Sequence, residues 1–359
     1  MSETKDLGCL AVKKYGKDFF GKLTPLLENI NITDINFNGR DIWVVDVEKG
    51  SYLENTIEYS EDDVVELAYK INNTENVQFN VIHPILQADL EDLRFQFTHK
   101  SFSMSGTSVS IRKTPAILRI SESNMKNNDV DYLSEPAKQL LKFLVSSRFN
   151  IVVCGLTGSG KTELSKFLIS YIRENERIIT IEDTSELHLP AIYPRKDIVE
   201  LKVNEHVDYE EAIRCCMRMK PVWLLLSETR GKEVKELLKS VSTGAKIITS
   251  LHTDDAKMIP NRILNMFESN ELDNTNILNM IYDFIDIGIH VKVESGEKLI
   301  RYVDQIVYYE RDQQGNRITH TLYKVKKDVQ GAYQYNYSKL PRYLRERLEE
   351  EGYVLNWGE

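Results

Sequence analysis

The chain has 359 residues, 42% of them apolar and 28% charged, and a formal net charge of −9. That length gives room for two or three domains and a sizeable core, and the composition excludes wholesale disorder. The acidic balance argues against direct nucleic-acid binding through bulk charge and leaves only a local basic patch.

The N-terminus, MSETKDLGCLAVKKYGKDFF, lacks the uninterrupted apolar core of a signal peptide. Residues 9–30 set Lys13, Lys14, Lys17 and Lys22 beside apolar residues. Such a stretch either lies on an anionic membrane surface as an amphipathic helix or packs on its own domain. Two strand-like runs follow, ITDINFNG and DIWVVDVEKG, then a helical stretch over 61–72, then DLRFQFTHKSF and TSVSIRKTP. This mixture predicts a small α+β domain over residues 1–120. In its last strand Val109 and Ile111 alternate with Ser108, Ser110 and Arg112, which puts Arg112 on the polar face. Residues 121–136, SESNMKNNDVDYLSEP, are polar and end in proline, so they read as a linker.

From 137 to 359 the pattern changes. Four short apolar runs rich in β-branched residues appear at 151–154, 177–183, 222–228 and 246–252. Helical stretches over 161–175, 208–219 and 231–243 separate them, which predicts a parallel sheet in a layered α/β domain. Further helices are expected over 256–268 and 272–286, antiparallel strands over 287–326, and a terminal helix in KLPRYLRERLEEEGY. No apolar run approaches the ~18 residues of a membrane helix. Cys9, Cys154, Cys215 and Cys216 have no metal-type spacing, so reduced thiols in a cytoplasmic protein are expected.

Chemistry enters at residues 155–162, GLTGSGKT, which match the phosphate-loop pattern between a strand and a helical stretch. Gly155, Gly158 and Gly160 permit the backbone angles that turn successive N–H groups inward, and the helix N-terminus adds partial positive charge. Thr157, Ser159 and Glu163 complete the nucleotide-contacting set with those glycines. Lys161 would reach the β/γ-phosphates and the Thr162 hydroxyl would ligate Mg2+. The guanine signature N-K-x-D does not occur, which favours ATP. The second strand ends TIEDTSELHLP, presenting Glu182, Asp183 and Glu186 where open α/β sheets bind ligands. A carboxylate there can orient and deprotonate an attacking water. The third strand ends in Ser227–Glu228, followed by Arg230, and the fourth ends in His252.

Taken in order, GLTGSGKT, TIEDTSELHLP, LLLSETRG and STGAKIITSLHTDDA resemble the Walker A, Asp-box, Walker B and His-box motifs of the type II/IV secretion ATPase superfamily. They are most similar to those of the conjugal transfer and type IV secretion traffic ATPases. ITDINFNG and TSVSIRKTP extend the resemblance more weakly, to roughly residues 30–310. The resemblance implies a RecA-like ATPase domain after the linker, with ATP and Mg2+ as ligands. It implies that Glu228 holds the ion or its waters, that Glu182 is the catalytic base and Asp183 a positioning residue, and that His252 meets the γ-phosphate. Arg230 would link the Walker B turn to the nucleotide. Arg112 would be a γ-phosphate contact from the N-terminal domain, its alternative being an exposed edge residue; Arg119 is a second candidate. Relatives form homo-hexamers beside inner-membrane secretion-system proteins at the cytoplasmic face, so peripheral membrane association is expected. Two departures stand out. Members usually read R-P-D where this chain has Lys220, Pro221 and Val222, and Ser227 replaces the glycine common in pilus-assembly motors. The pilus motor and a nucleotide-dependent scaffold with little turnover are the alternative readings.

Overall fold

The structure is a computed structural model that describes residues 8–359 apart from 123, 127–129, 232, 268–272, 296–298, 354, 356, 358 and 359. The chain divides into two units. The first holds the residues up to Ile117 together with Thr184–His188 and Ser295–Ile300. Its strands are β1 (Ile32–Phe37), β2 (Ile42–Asp46), β3 (Gly50–Glu54), β4 (Ile85–Leu90), β5 (Leu93–Thr98) and β6 (Ser108–Lys113). They form one antiparallel sheet in the order β3-β2-β1-β6-β5-β4. Alternation decides the faces: Leu93, Phe95 and Phe97 of β5 and Val109 and Ile111 of β6 are buried, while Ser110 and Arg112 face solvent.

Helices α1 (Leu10–Tyr15), α2 (Lys17–Phe20), α3 (Thr24–Glu28) and α4 (Glu61–Glu75) cover this sheet. The N–H groups of Leu10 and Ala11 donate to the Asp92 carboxylate at 3.0 and 2.9 Å, which satisfies the open end of α1. Helix α4 starts on a capping box in which the Ser60 hydroxyl and the Asp63 carboxylate serve each other's backbone N–H groups. Of the two alternatives for residues 9–30, packing prevails. Ala11, Val12, Phe20, Leu23, Leu26 and Leu27 sit in the core of this unit. Lys14, Lys17 and Lys22 pair with Glu91, Glu28 and Asp63.

The second unit comprises Leu118–Asp183, Leu189–Glu294 and Arg301–Glu359. Its helices are α5 (Glu135–Ser146), α6 (Lys161–Ile169), α7 (Leu189–Ile192), α8 (Tyr209–Met217), α9 (Glu233–Ser242), α10 (Ile259–Leu264), α11 (Asn274–Phe284) and α12 (Arg342–Glu350). Its strands are β7 (Ile151–Cys154), β8 (Ile178–Glu182), β9 (Ile198–Lys202), β10 (Trp223–Leu226), β11 (Lys246–Leu251), β12 (Ile287–Ser295), β13 (Leu299–Arg311), β14 (Arg317–Lys327) and β15 (Tyr333–Tyr337). The sheet order is β15-β14-β13-β12-β7-β11-β10-β8-β9.

This sheet is mixed. Within the run 287–326 the expected antiparallel pairing is present between β13 and β14 and continues to β15, while β12 joins the run to the parallel part of the sheet by lying parallel to β7, with Ile287 opposite Ile151. A further parallel strand, β9, edges the sheet beside β8; its half-buried IVELK lacks the continuous apolar signal of the central strands. The four central strands do carry that signal, since β7, β8 and β10 are buried along their whole length.

Residues 123 and 127–129 of the expected linker lie outside the described residues. Of the rest, Met125, Val130 and Leu133 are buried. The Val303 N–H donates to Tyr132 O at 2.8 Å, and Pro136 occupies the first turn of α5. Among the described residues no helix is long and apolar enough to cross a membrane.

Candidate active site

The phosphate loop joins β7 to α6. Gly155 sits so close to the neighbouring strand that a Cβ there would stand 2.4 Å from Val291 O and 2.5 Å from Ser159 Oγ. Gly158 and Gly160 adopt φ of 75° and 98°, the left-handed region that favours glycine. Within the loop, the Ser159 N–H donates to Leu156 O at 3.2 Å. The Lys161 ammonium, on the first residue of α6, donates to Gly155 O at 3.0 Å and Leu156 O at 3.2 Å. Thr157 is exposed at the tip, Ser159 is buried, and Thr162 is half-buried in the first helical turn. Glu163 accepts from the Arg119 N–H and from Lys166 Nζ, each at 3.3 Å.

Carboxyl ends of the neighbouring strands bring the remaining groups. Glu182 ends β8 and is 3% exposed. Glu228, two residues beyond β10, spans two partners: Oε1 lies 2.9 Å from His252 Nε2, and Oε2 accepts from Arg230 at 2.7 Å. Arg230 also donates to Asp183 Oδ2 at 3.2 Å. His252 in turn lies 3.3 Å from Lys161 Nζ through Nδ1. A continuous chain of polar contacts therefore runs Lys161–His252–Glu228–Arg230–Asp183 and links the ends of four parallel strands. The Arg230 turn is fixed underneath, since its own N–H and that of Gly231 donate to Glu233 Oε1 at 2.5 and 2.8 Å. The hydrogen bond to Glu228, above all, raises the Arg230 guanidinium above its ordinary range.

The remaining expected residues distribute as follows. Arg112 belongs to the first unit, half-exposed on β6, with its Nε 3.5 Å from Asp34 Oδ1 on the paired strand β1. Glu186 is likewise in the first unit, within Thr184–His188. Val222, where relatives usually carry aspartate, lies at the opposite end of β10 from Glu228; its N–H donates to Arg177 O and its carbonyl accepts from the Lys246 N–H, each at 2.9 Å.

Two residues near the site carry no motif signal. Tyr209, which opens α8, has a hydroxyl pushed up to about 12 by burial and then by the Asp183 charge, and it bonds to Ser227. Arg301, on β13, donates from Nε to Gly158 O at 3.0 Å.

The residues present fit a nucleoside triphosphate with magnesium. The Gly155 cradle leaves no room for a side chain, and the buried Ser159 Oγ has no hydrogen-bond partner among the described residues. Thr162 and Glu228 offer the oxygen donors that Mg2+ takes alongside phosphate oxygens and waters.

Comparison with known proteins places the chain at the level of a family. The family described as "Type II/IV secretion system protein" matches residues 29–344. An uncharacterized Bacillus anthracis protein is 28% identical over 291 residues, covering 78% of this chain and 65% of that protein. The type IV secretion system protein VirB11 of Brucella suis is 32% identical over 190 residues, covering 50% of this chain and 51% of that one. The chain thus spans about half to two-thirds of the length of these curated relatives. Among solved structures, the Legionella pneumophila ATPase DotB shares the fold, with a TM-score of 0.58 at 18% identity over 90% of this chain and 81% of that one.

Proposed function

The chain belongs to the type II/IV secretion system protein family, and on that premise we propose that it is an ATP-hydrolysing motor of a type IV secretion or conjugative transfer apparatus. It works as a homo-hexamer, peripheral to the cytoplasmic face of the membrane beside inner-membrane components of the machine. The observation that carries this reading is the contact chain Lys161–His252–Glu228–Arg230–Asp183 around a glycine-built phosphate loop. Such a chain joins the phosphate-binding lysine to three carboxyl-end strands, the place where open α/β sheets bind ligands.

Each group then has a task. The loop N–H groups would cradle the α- and β-phosphates and Lys161 would reach the β- and γ-phosphates, while Thr162 and Glu228 would hold Mg2+, whose charge would neutralise that of the phosphate oxygens. Glu182, buried at the end of β8, orients the attacking water and takes its proton. His252, between Lys161 and Glu228, registers the γ-phosphate. Arg112 brings a cation from the N-terminal domain, residues 1–120, to the γ-phosphoryl oxygens, where an added arginine is worth ~10³–10⁵ in rate. Release of the products frees that domain to swing on residues 121–136.

Steady-state turnover and ADP titration of two variants test the reading. Lys161→Ala is expected to lose nucleotide binding. Glu182→Gln should keep its ADP affinity while turnover falls ~10²–10⁴-fold, the usual contribution of a general base. Undiminished turnover in Glu182→Gln would remove it as the base. A wild-type protein that binds ATP but does not turn it over would leave the scaffold reading standing.

A further inference from the structure

We propose that Arg301 is a positioning residue of the phosphate loop, tying it to the same strand that holds the loop after His252. The proposal rests on the nucleotide-binding reading of that loop and adds a residue outside every motif. Arg301 Nε donates to Gly158 O at 3.0 Å, and a Cβ on Gly160 would stand 3.8 Å from Arg301 Cδ. The arginine stem thus runs along the turn from Gly158 to Gly160. In a trans peptide the carbonyl and the following N–H point to opposite sides. Drawing the Gly158 carbonyl toward β13 therefore aims the Ser159 N–H to the inside of the loop, where it meets Leu156 O at 3.2 Å.

Strand periodicity puts Arg301, Gln305 and Tyr309 on one face of β13. Gln305 Oε1 accepts from the Ala256 N–H at 3.2 Å, and the Tyr309 hydroxyl donates to the Ala256 carbonyl. Ala256 follows His252 by four residues, so one strand grips both the phosphate loop and the segment leaving the His-bearing strand end. Burial, and then the neighbouring Arg119 charge, pull Arg301 below the ordinary guanidinium range. A cation held against the loop in this way favours the arrival of phosphate charge.

A loop that grips the α- and β-phosphates serves ADP and ATP alike. Titration with a fluorescent ADP and with a slowly hydrolysed ATP analogue, alongside turnover, reads this out. Arg301→Ala is expected to weaken both affinities about tenfold, while kcat at saturating ATP stays within about twofold of wild type and KM rises in step. Arg301→Lys, which keeps a charged donor, should recover affinity to within about threefold of wild type. Unchanged ADP affinity in an Arg301→Ala protein that melts like wild type would overturn the proposal, as would a collapse of kcat with affinity intact. If Arg301→Ala fails to fold, Arg301→Gln replaces it under the same criteria. A wild-type chain that binds no ADP would remove the nucleotide reading itself, and the proposal with it.

Discussion

At the scale of single residues, the third sheet strand ends in Ser227–Glu228, where many nucleotide hydrolases use an aspartate. The longer glutamate reaches two neighbours at once, His252 at 2.9 Å and Arg230 at 2.7 Å. Arg112 poses the opposite case, because its described partner is weak. A half-exposed ion pair at 3.5 Å contributes at most about 1 kcal/mol. Arg112→Ala should therefore leave the fold intact, which makes it a clean probe of chemistry. We expect turnover to be abolished while ADP affinity stays within about twofold; intact turnover would take Arg112 out of the mechanism.

At the scale of elements, β12 and the strands after it carry two testable features. Gly288 on β12 lies where a Cβ would stand 2.2 Å from the Tyr309 hydroxyl and 2.9 Å from both Ile259 and Val307. Gly288→Ala must push these groups apart, and overpacking of this kind costs about 1–3 kcal/mol; urea unfolding would show it as a lower midpoint. Glu294 accepts from Lys292, Lys327, Tyr302 and Tyr333. Burial alone would raise its carboxyl, but these hydrogen bonds outweigh burial and hold it well below the usual carboxylate range. A folded-state value below the unfolded value, about 4.3, gives stability that is full above that value and is lost as pH falls toward the folded one. The stability gap between wild type and Glu294→Gln should therefore be constant from pH 7 to pH 5 and shrink below pH 4. A gap that stayed constant to pH 3 would contradict the assigned hydrogen bonds.

At the scale of the whole molecule, the proposed motor is a ring. Six chains of 41.6 kDa give about 250 kDa, which light scattering with a magnesium–ATP analogue would read directly. A persistent monomer would contradict the ring and leave a protein that assembles only on its membrane partners or serves as a scaffold. The acidic net charge of −9 further predicts that added DNA does not stimulate turnover in a salt-dependent way.

Much of this was legible in the sequence, for a physical reason: some chemistry is contiguous in the chain. GLTGSGKT carries its glycines, lysine and hydroxyl within one turn, and continuous apolar runs mark β7, β8, β10 and β11 as strands buried on both faces. The expected catalytic candidates Glu182, Glu228 and His252 stand at or just beyond the carboxyl ends of such strands. What the sequence left open depends on contacts between distant segments. The half-buried β9 gave too weak a pattern to predict, and β12 runs parallel because it pairs with β7, some 136 residues earlier. Residues 9–30 satisfied both a membrane and a packing reading until their apolar side was accounted for in a core. Only the tertiary structure brings Arg301 to Gly158, 143 residues away, since a lone arginine in an alternating strand has no period or motif that points to a loop.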